Sequence, residues 1–432
     1  MEILHLYLRP TSASKTFEIT DDPRWRSYDQ ITVDIDQASP LSRPLKSLIQ
    51  QLHDRGSERL MRVPDQTQIA AAIGETLFSN VIGGSKEISK SFDAYHDQCI
   101  SQHRQIRLAL HLPDSLYYLP WELLRDPRDP PGNFFALNGS IIRYDVTIPE
   151  KDFEPAEVPF KLWFIFSNPW NRPFTGDAEI LPPPHEDIIF DQIMPATFER
   201  FQETIRKFSY LTSKSQVRPL AFAFFGHGDV DDHKIGQLVF VKKGDRKGIT
   251  RPWISDARPS YAINDTIVAC PHLRLAFLCA CESAWAGTTI AFENTIAGNL
   301  LRGSASLGYV IGAQTPIDRF AADILLERIL TRLPTTPLDL AISDARAAVR
   351  GMNYSEPGQQ YSGLDWWVPV LYARAAGFDL VARADIQSAL QPPPHVPHRA
   401  VLGMDATSGE PVSPTATISD VMRRLTALVA PK

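Results

Sequence analysis

The sequence predicts an α/β fold in which helices flank an open, mostly parallel sheet on both faces. Two observations lead to this prediction. Nearly continuous apolar runs, typical of strands covered on both sides, recur after residue 150. Amphipathic segments with helical spacing stand between these runs, as expected when successive strands are joined by crossover helices.

The apolar runs define the strands of the predicted sheet: Lys161–Ser167, Leu220–Phe225, Leu273–Leu278, Ser306–Ala313 and Trp366–Tyr372. Proline cannot donate a hydrogen bond to a neighbouring strand, so Pro369 predicts an edge strand or a bulge for the last run. The predicted helices cover Phe198–Leu211, Gly287–Leu301, Asp318–Leu333 and Leu338–Val349.

Residues 1–150 are predicted to form an N-terminal α/β region. Its predicted strands are Glu2–Leu8, Ile31–Ile35 and Arg107–Leu112, and its predicted helices are Leu45–Leu52 and Gln66–Phe78. The charged segment Pro149–Pro159 contains three prolines and is the expected linker to a core at residues 151–382.

Residues 383–432 are predicted to be a proline-rich linker followed by one amphipathic helix. The linker contains Gln391–Pro397, and the helix covers Thr415–Val429. This helix would either regulate the core or recruit a substrate, or it would simply pack on the surface of the core.

Composition and charge argue against several classes of partner. The 432 residues carry a formal net charge of −6, which gives no electrostatic basis for binding nucleic acid. No apolar run reaches the roughly 18 residues that a membrane-spanning helix needs. The start MEILHLYLRP lacks the basic segment of a signal peptide. We therefore expect a cytoplasmic protein without membrane or nucleic-acid partners.

Four cysteines, Cys99, Cys270, Cys279 and Cys281, are too few and too unevenly spaced for a disulfide framework. We expect free thiols. The sequence contains no CxxC, HExxH, Walker A or GxGxxG motif. It therefore predicts no metal and no cofactor, and a nucleotide-sensing module would lack its phosphate-binding loop.

Two buried strands end in residues that suit nucleophilic catalysis. His227 follows Leu220–Phe225, and Cys281 follows Leu273–Leu278, 54 residues further along the chain. Functional groups collect at the carboxyl ends of parallel strands, so we expect the two to share one cleft. An imidazole makes the thiolate of a nearby cysteine accessible. The N–H groups of Gly228 and Cys281 are the candidate donors to the oxyanion.

Each residue has a simpler interpretation, because a histidine after a strand is commonly structural and a buried cysteine is commonly inert. The joint occurrence of both, in the order His-Gly and then Ala-Cys, favours catalysis. Cys279 lies only two positions from Cys281, which leaves open which thiol reacts. Cys281 is favoured because it lies beyond the apolar run.

Three further residues are candidates for substrate binding: Asp229, Glu282 and Gln314. Asp229 and Glu282 flank the predicted dyad, so they would select a basic residue before the scissile bond. Alternatively, they would be solvated carboxylates or a charge at a helix N-terminus. Gln314 is predicted to face the cleft. The tryptophans at positions 121, 366 and 367 are expected in the core or in a wall of the cleft.

The segments FFGHGD (Phe224–Asp229) and LCACES (Leu278–Ser283) resemble the His and Cys boxes of the CHAT domain, a cysteine peptidase family related to caspases and separases. The resemblance continues through Thr295–Asp318 and Trp366–Arg374, and upstream in Leu119–Leu124 with Ile141–Arg143, so that it spans about Leu108 to Arg374. It implies a caspase-like sheet with His227 as base, Gly228 as oxyanion glycine and Cys281 as nucleophile.

The resemblance also implies a function. We expect a cysteine endopeptidase that cleaves one or few protein targets in a bacterial conflict or cell-death pathway, after activation by a partner. Tetratricopeptide repeats commonly accompany the CHAT domain and are absent from this sequence, so a separate protein, residues 1–107 or the C-terminal tail would control activation. The alternative is a catalytically silent caspase-like scaffold that binds a partner protein.

Overall fold

A sheet of eleven strands organises the part of the chain that the structure describes. The computed structural model describes residues 3–12, 16–24, 29–32, 63–130, 132–169, 186–209, 217–243, 253–281, 283–284, 291–315, 317, 319–351, 354–356, 359–361 and 364–382. The strands are β1 (Leu4–Pro10), β2 (Thr16–Thr20), β3 (Asp29–Thr32), β4 (Arg107–Leu112), β5 (Ser140–Asp145), β6 (Phe160–Phe166), β7 (Ile188–Gln192), β8 (Pro219–Phe225), β9 (His227–Val230), β10 (Gly236–Lys243), β11 (Trp253–Pro259), β12 (Leu275–Cys279), β13 (Tyr309–Ala313), β14 (Tyr354–Glu356), β15 (Gln359–Tyr361) and β16 (Pro369–Ala373).

The large sheet has the strand order β3-β2-β1-β4-β5-β16-β13-β12-β8-β6-β7. Strands β1, β4, β5 and β16 are parallel to one another, and β13, β12, β8, β6 and β7 form a second parallel group. Because β13 and β16 pair antiparallel, the two groups run in opposite directions. Their carboxyl ends therefore lie at opposite edges of the sheet.

Helices flank this sheet. They are α1 (Val63–Val81), α2 (Lys86–Ser101), α3 (Phe135–Asn138), α4 (Phe198–Ser209), α5 (Ser260–Ile267), α6 (Ile296–Gly303), α7 (Arg319–Arg332) and α8 (Leu338–Arg350). The predicted α/β class, with a large, mostly parallel sheet flanked by helices, is confirmed. None of the described helices combines the length and the apolar character that a membrane crossing requires.

Strands β6, β8 and β12 form the hydrophobic centre of the second group. Every residue of β8 and β12 is buried, and the side chains of Trp163, Phe164, Phe222 and Phe224 have almost no exposed surface. A strand that is buried on both faces has a nearly continuous apolar sequence. For this reason the sequence predicts the ends of β6, β8, β12 and β13 to within about three residues.

The helix α2 illustrates a local signal that the sequence prediction did not use. Ser85 precedes the helix, and its Oγ accepts a hydrogen bond of 3.0 Å from the backbone N–H of Ile88. Such a cap satisfies one of the N–H groups that the first turn leaves without a partner. The buried side of the helix, Ile88, Phe92, Tyr95 and Cys99, recurs at three- and four-residue spacing.

Two sequence predictions in this region are wrong. Pro369 predicts an edge strand or a bulge, yet β16 lies between β5 and β13 in the interior of the sheet. Proline is accommodated there because it is the first residue of the strand. In the described part of the helix predicted at Gly287–Leu301, Phe292–Asn294 form a 3₁₀ helix and the α-helix begins at Ile296, where Thr295 Oγ1 accepts from the N–H of Gly298 at 2.9 Å.

The sheet spans both predicted regions of the chain, because β5, before the predicted linker, pairs with β16. A buried ion pair adds a second connection. Arg107 of β4 donates two hydrogen bonds of 2.7 Å to the carboxylate of Asp339 in α8. The predicted helices at Leu45–Leu52 and Thr415–Val429 and the predicted linker at Gln391–Pro397 lie outside the described residues.

Candidate active site

The two strands that precede His227 and Cys281 are neighbours in the sheet. Strands β8 and β12 pair in parallel, and Phe225 lies opposite Cys279. His227 and Cys281 each stand two residues beyond this pair, so both follow the same edge of the sheet. The backbone N–H of Gly226 donates to the carbonyl of Cys279 at 3.2 Å and extends the pairing up to the turns.

Gly228 lies against the backbone of Cys281. A Cβ atom at position 228 would overlap the carbonyl oxygen of Cys281 and would lie 3.4 Å from its amide nitrogen. Such an approach is open only to a residue without a side chain. Because Gly228 follows His227 directly, the contact brings the peptide that carries the imidazole beside the peptide that carries the thiol.

Ser167, which the sequence prediction did not single out, holds the histidine turn from the other side. Its N–H donates to the carbonyl of Phe225 at 2.8 Å, and its Oγ donates to the carbonyl of Val239 at 2.6 Å. Val239 of β10 lies opposite His227 of β9. The serine therefore joins the end of β8 to the strand that pairs with the histidine.

Ser283 fixes the turn that contains Cys281. Its side chain is fully buried, and its Oγ accepts from the N–H of Ala313 at 2.9 Å. Its N–H donates to the carbonyl of Ala280 at 3.2 Å, and its carbonyl accepts from Ala297 at 2.9 Å. The turn after β12 is thus attached both to the end of β13 and to α6.

Gly312 of β13 leaves room for this turn. A Cβ atom at position 312 would lie 2.7 Å from the Cβ of Ala284 and 3.2 Å from the Oγ of Ser283. The N–H of Ala284 donates to the carbonyl of Ala313 at 3.0 Å, and the Tyr372 hydroxyl donates to the carbonyl of Ala284 at 3.2 Å. A larger residue at position 312 would push the cysteine turn away from the sheet.

The four thiols differ in their access to solvent. Cys99, Cys270 and Cys279 are buried, whereas Cys281 is partly exposed. Burial raises the pKa of the Cys279 thiol well above its usual value, and the neighbouring Asp323 and Cys281 raise it further. Burial disfavours the charged thiolate in this way because the apolar surroundings do not solvate it. Of the two neighbouring thiols, Cys281 is therefore the more accessible one.

Of the residues predicted to bind substrate, Asp229 lies on β9, two residues from His227, and is exposed. Its Oδ1 accepts a hydrogen bond of 2.9 Å from the N–H of Val230. His227 itself is half-buried. Glu282 lies outside the described residues. The assignment of Asp229 and Glu282 to substrate binding stays a prediction.

The structure places Gln314, predicted to face the cleft, in a buried polar cluster. Its Nε2 donates to Glu122 Oε2 at 3.1 Å and to the Trp367 carbonyl at 2.9 Å, and its Oε1 accepts from Arg143 at 3.2 Å. Arg143 Nε also donates to Glu122 Oε1 at 3.1 Å. These contacts give Gln314 a structural role, and substrate binding by this residue stays a prediction. The tryptophans at positions 121, 366 and 367 are buried, as expected.

The structure brings the segments that contain the two predicted catalytic residues next to each other. Cys281, whose residue is partly exposed, and His227 both follow the carboxyl edge of β8 and β12, and the backbone of Gly228 lies against the backbone of Cys281. Open α/β sheets place their functional sites at such edges. The sequence predicts His227 and Cys281 as site residues because each follows an apolar run. It does not identify Ser167, Ser283 and Gly312, whose roles depend on neighbouring strands.

The chain matches no family model and no curated protein. Among solved structures it is similar to yeast (Saccharomyces cerevisiae) separase in two separase–securin complexes. The first match has 12% identity and a TM-score of 0.34 and covers 77% of this chain and 22% of separase. The second match has 13% identity and a TM-score of 0.34, and it covers 78% of this chain and 22% of separase. Caspase-1 from Spodoptera frugiperda matches with 10% identity and a TM-score of 0.30 over 55% of this chain and 98% of the caspase. The chain thus spans about a fifth of the separases, and these matches concern the arrangement of the backbone alone.

Proposed function

We propose that the chain is a cysteine endopeptidase in which Cys281 is the nucleophile and His227 is the general base. The observation that carries the proposal is the contact between Gly228 and Cys281 at the ends of two adjacent parallel strands. A dyad needs its base within reach of its nucleophile, and this contact joins the two turns that present them.

In the first half of the proposed reaction, His227 accepts the proton of the Cys281 thiol. The resulting thiolate attacks the carbonyl carbon of the scissile peptide bond, and the electron pair of the carbonyl moves onto its oxygen. The N–H groups of Gly228 and Cys281 then donate to this oxyanion. One such donor is typically worth about 3 kcal/mol in the transition state.

In the second half, the oxyanion collapses and the carbon–nitrogen bond breaks. The imidazolium gives its proton to the departing amine, which leaves a thioester on Cys281. Water, deprotonated by His227, attacks the thioester, and the new carboxylic acid leaves as the proton returns to the thiolate. No metal or cofactor takes part in this sequence, which uses only the imidazole, the thiol and backbone donors.

The choice of Cys281 over Cys279 rests on access. A nucleophilic cysteine must be accessible to the substrate and must ionise to the thiolate. Burial of Cys279 blocks access to its thiol and also raises the pKa of that thiol. The hydrogen bonds of Ser283 at the same time hold the turn that contains Cys281. Fixed geometry of this kind lowers the entropic cost of reaching the transition state.

The substrate we propose is a protein, cleaved after a basic residue that the exposed carboxylate of Asp229 would attract, with Glu282 as a second candidate. The resemblance to the CHAT domain supports a cytoplasmic role in a bacterial conflict or cell-death pathway, with one or few targets and an activating protein partner. The C-terminal residues 383–432 are a candidate regulatory segment in this proposal.

The test is a comparison of new protein N-termini in cells of the source organism that produce the full-length chain. Cells with the wild-type chain are compared with cells that carry Cys281→Ala, His227→Ala or, as a matched control, Cys279→Ala. We expect a small set of new N-termini from the wild-type chain and from Cys279→Ala, and none from Cys281→Ala. General-base catalysis contributes about 10²- to 10⁴-fold, so His227→Ala should lose most of them.

Equal sets of new N-termini from the wild-type chain and from Cys281→Ala would refute the proposal. A wild-type chain that yields none, while Cys281 also stays unreactive toward a thiol-directed probe, would favour the silent scaffold that binds a partner. Deletion of residues 383–432 completes the test. Unchanged activity and unchanged partner binding would exclude a regulatory role for this segment.

A further inference from the structure

Two histidines and a glutamate meet at a place remote from Cys281. His5 lies on β1 and His111 on β4, and these strands are parallel neighbours. His111 is opposite Tyr7, and His5 is two residues before Tyr7, so both imidazoles are on the same face of the sheet. Glu150 follows β5 by five residues.

Three potential metal ligands of these side chains lie close together. His5 Nδ1 and His111 Nε2 are 3.0 Å apart, and His111 Nε2 is 3.8 Å from Glu150 Oε1. All three ligand atoms lie within 4.8 Å of one another. Tetrahedral zinc with bonds of about 2.0–2.1 Å separates its ligand atoms by about 3.3 Å. The three atoms therefore need only small side-chain movements to surround one ion.

The central ligand is held rigidly. The ring of His111 is stacked between Tyr7 and Tyr144, with centroid distances of 3.9 and 4.7 Å and interplanar angles of 18° and 16°. His111 is only 5% exposed. Glu150, in contrast, keeps about a third of its side chain in solvent. The cluster thus combines a fixed imidazole with an open side through which an ion can enter.

We propose that His5 Nδ1, His111 Nε2 and the carboxylate of Glu150 bind a divalent transition-metal ion, with water as a fourth ligand. Imidazole nitrogens with one carboxylate are a ligand set that suits Zn²⁺ and other first-row metals. The ion would connect β1, β4 and the segment after β5, and so would stabilise this part of the sheet.

The proposed site is independent of the proposed peptidase. His111 is the last residue but one of β4, and β4 runs in the opposite direction to β8 and β12. The metal site therefore lies toward the edge of the sheet opposite to His227 and Cys281. A direct hydrogen bond between the two imidazoles is the competing explanation for the 3.0 Å distance, and it predicts no metal binding.

The test uses the full-length chain with Cys281→Ala, because a partly exposed thiol is itself a zinc ligand. The protein is freed of metal with a chelator and titrated with Zn²⁺ against a chromophoric competitor. In the same background we compare His5→Phe, which keeps an aromatic ring beside Tyr7, with Glu150→Gln. His233→Gln is the matched control, because His233 is an exposed histidine on the loop after β9.

We expect one Zn²⁺ per chain in Cys281→Ala and in the His233→Gln control. His5→Phe and Glu150→Gln should each lower the affinity at least about tenfold, since even a group that only orients a metal ligand contributes about 10- to 100-fold. Zn²⁺ should also raise the unfolding temperature of Cys281→Ala, because an ion that binds only the folded state stabilises it.

The proposal would be overturned if the Cys281→Ala protein did not bind Zn²⁺. It would also be overturned if adding His5→Phe or Glu150→Gln left the affinity for Zn²⁺ unchanged. Circular dichroism checks that the variants fold. If His5→Phe does not fold, the Zn²⁺ affinity of Glu150→Gln tests the proposal alone. This variant should fold, because the side chain of Glu150 is partly exposed and its replacement by glutamine keeps the size of the side chain. Neither result bears on Cys281, whose reactivity is measured separately.

Discussion

The Cα of Gly228 packs against the carbonyl group of Cys281, at a distance that leaves no room for a side chain. Gly228→Ala should therefore push the segment that contains His227 away from the turn that contains Cys281. We expect a loss of about 1–3 kcal/mol in the free energy of unfolding, as for other overpacked sites, and slower alkylation of Cys281.

The matched control for this substitution is Gly377→Ala. A Cβ atom at Gly377 meets nothing within 4 Å, so this change should leave stability and alkylation unchanged. Chemical unfolding and mass-spectrometric alkylation rates measure the two effects. Equal behaviour of the two alanine variants would contradict the observed contact.

Ser283 gives a second prediction, because its hydroxyl joins the cysteine turn to β13. Ser283→Ala leaves the buried N–H of Ala313 without this acceptor, which should cost about 1–3 kcal/mol of stability and slow the reaction of Cys281. Ser343→Ala is the control, since the buried Ser343 Oγ makes no hydrogen bond within the described residues. A loss of stability as large in Ser343→Ala as in Ser283→Ala would show that the hydroxyl of Ser283 has no special role.

Removal of one partner from the buried ion pair of Arg107 and Asp339 should strongly destabilise the fold. Both side chains are buried, and Asp339 also accepts a hydrogen bond of 2.6 Å from Ser140 Oγ. Asp339→Ala leaves a buried guanidinium without its carboxylate, so we expect a loss of about 3–5 kcal/mol in denaturant unfolding.

The exposed pair of Arg128 and Asp93 provides the comparison. Asp93→Asn should cost less than about 1 kcal/mol, because water solvates and screens both charges. If Asp339→Ala were as mild as Asp93→Asn, burial would not govern the strength of these pairs.

The two neighbouring thiols should react very differently as the pH is raised. Because burial raises the pKa of Cys279 above that of an ordinary thiol, its thiolate is scarce at a pH where exposed cysteines ionise. We expect iodoacetamide at pH 8 to modify Cys281 in the folded chain and Cys279 only after denaturation. Peptide mass spectrometry distinguishes the two, and equal modification in the folded chain would contradict the assigned burial.

Much of the fold could be predicted because its central strands are buried on both faces. Runs such as Leu220–Phe225 and Leu273–Leu278 contain almost no polar residue, and they appear as β8 and β12 with shifts of one or two residues. The small sheet β11-β10-β9 could not be predicted in this way. Strand β9 reads His-Gly-Asp-Val and is a strand only because β10 pairs with it.

The candidate site shows the same division between local and tertiary signals. The adjacency of the strands before His227 and Cys281 follows from the order of apolar runs and from the rule that sites lie at carboxyl edges. The burial of Cys279 follows from its place at the end of an apolar run. The anchoring by Ser283, in contrast, depends on a contact with a distant part of the chain, which no local pattern encodes. The burial of Gln314 also depends on distant contacts, because its amide is bound by Glu122, in the short 3₁₀ helix Trp121–Leu123, and by Arg143 of β5.

The pairing of His227 with Cys281 is tested most directly by the rate at which iodoacetamide alkylates Cys281 between pH 5 and pH 9, in the wild-type chain and in His227→Ala. A nearby imidazole favours the thiolate, so the wild-type rate should stay high below the ordinary thiol pKa of about 8.5. In His227→Ala the rate should follow an ordinary thiol and fall at least tenfold at pH 6. Superimposable pH profiles for the two proteins would contradict the account.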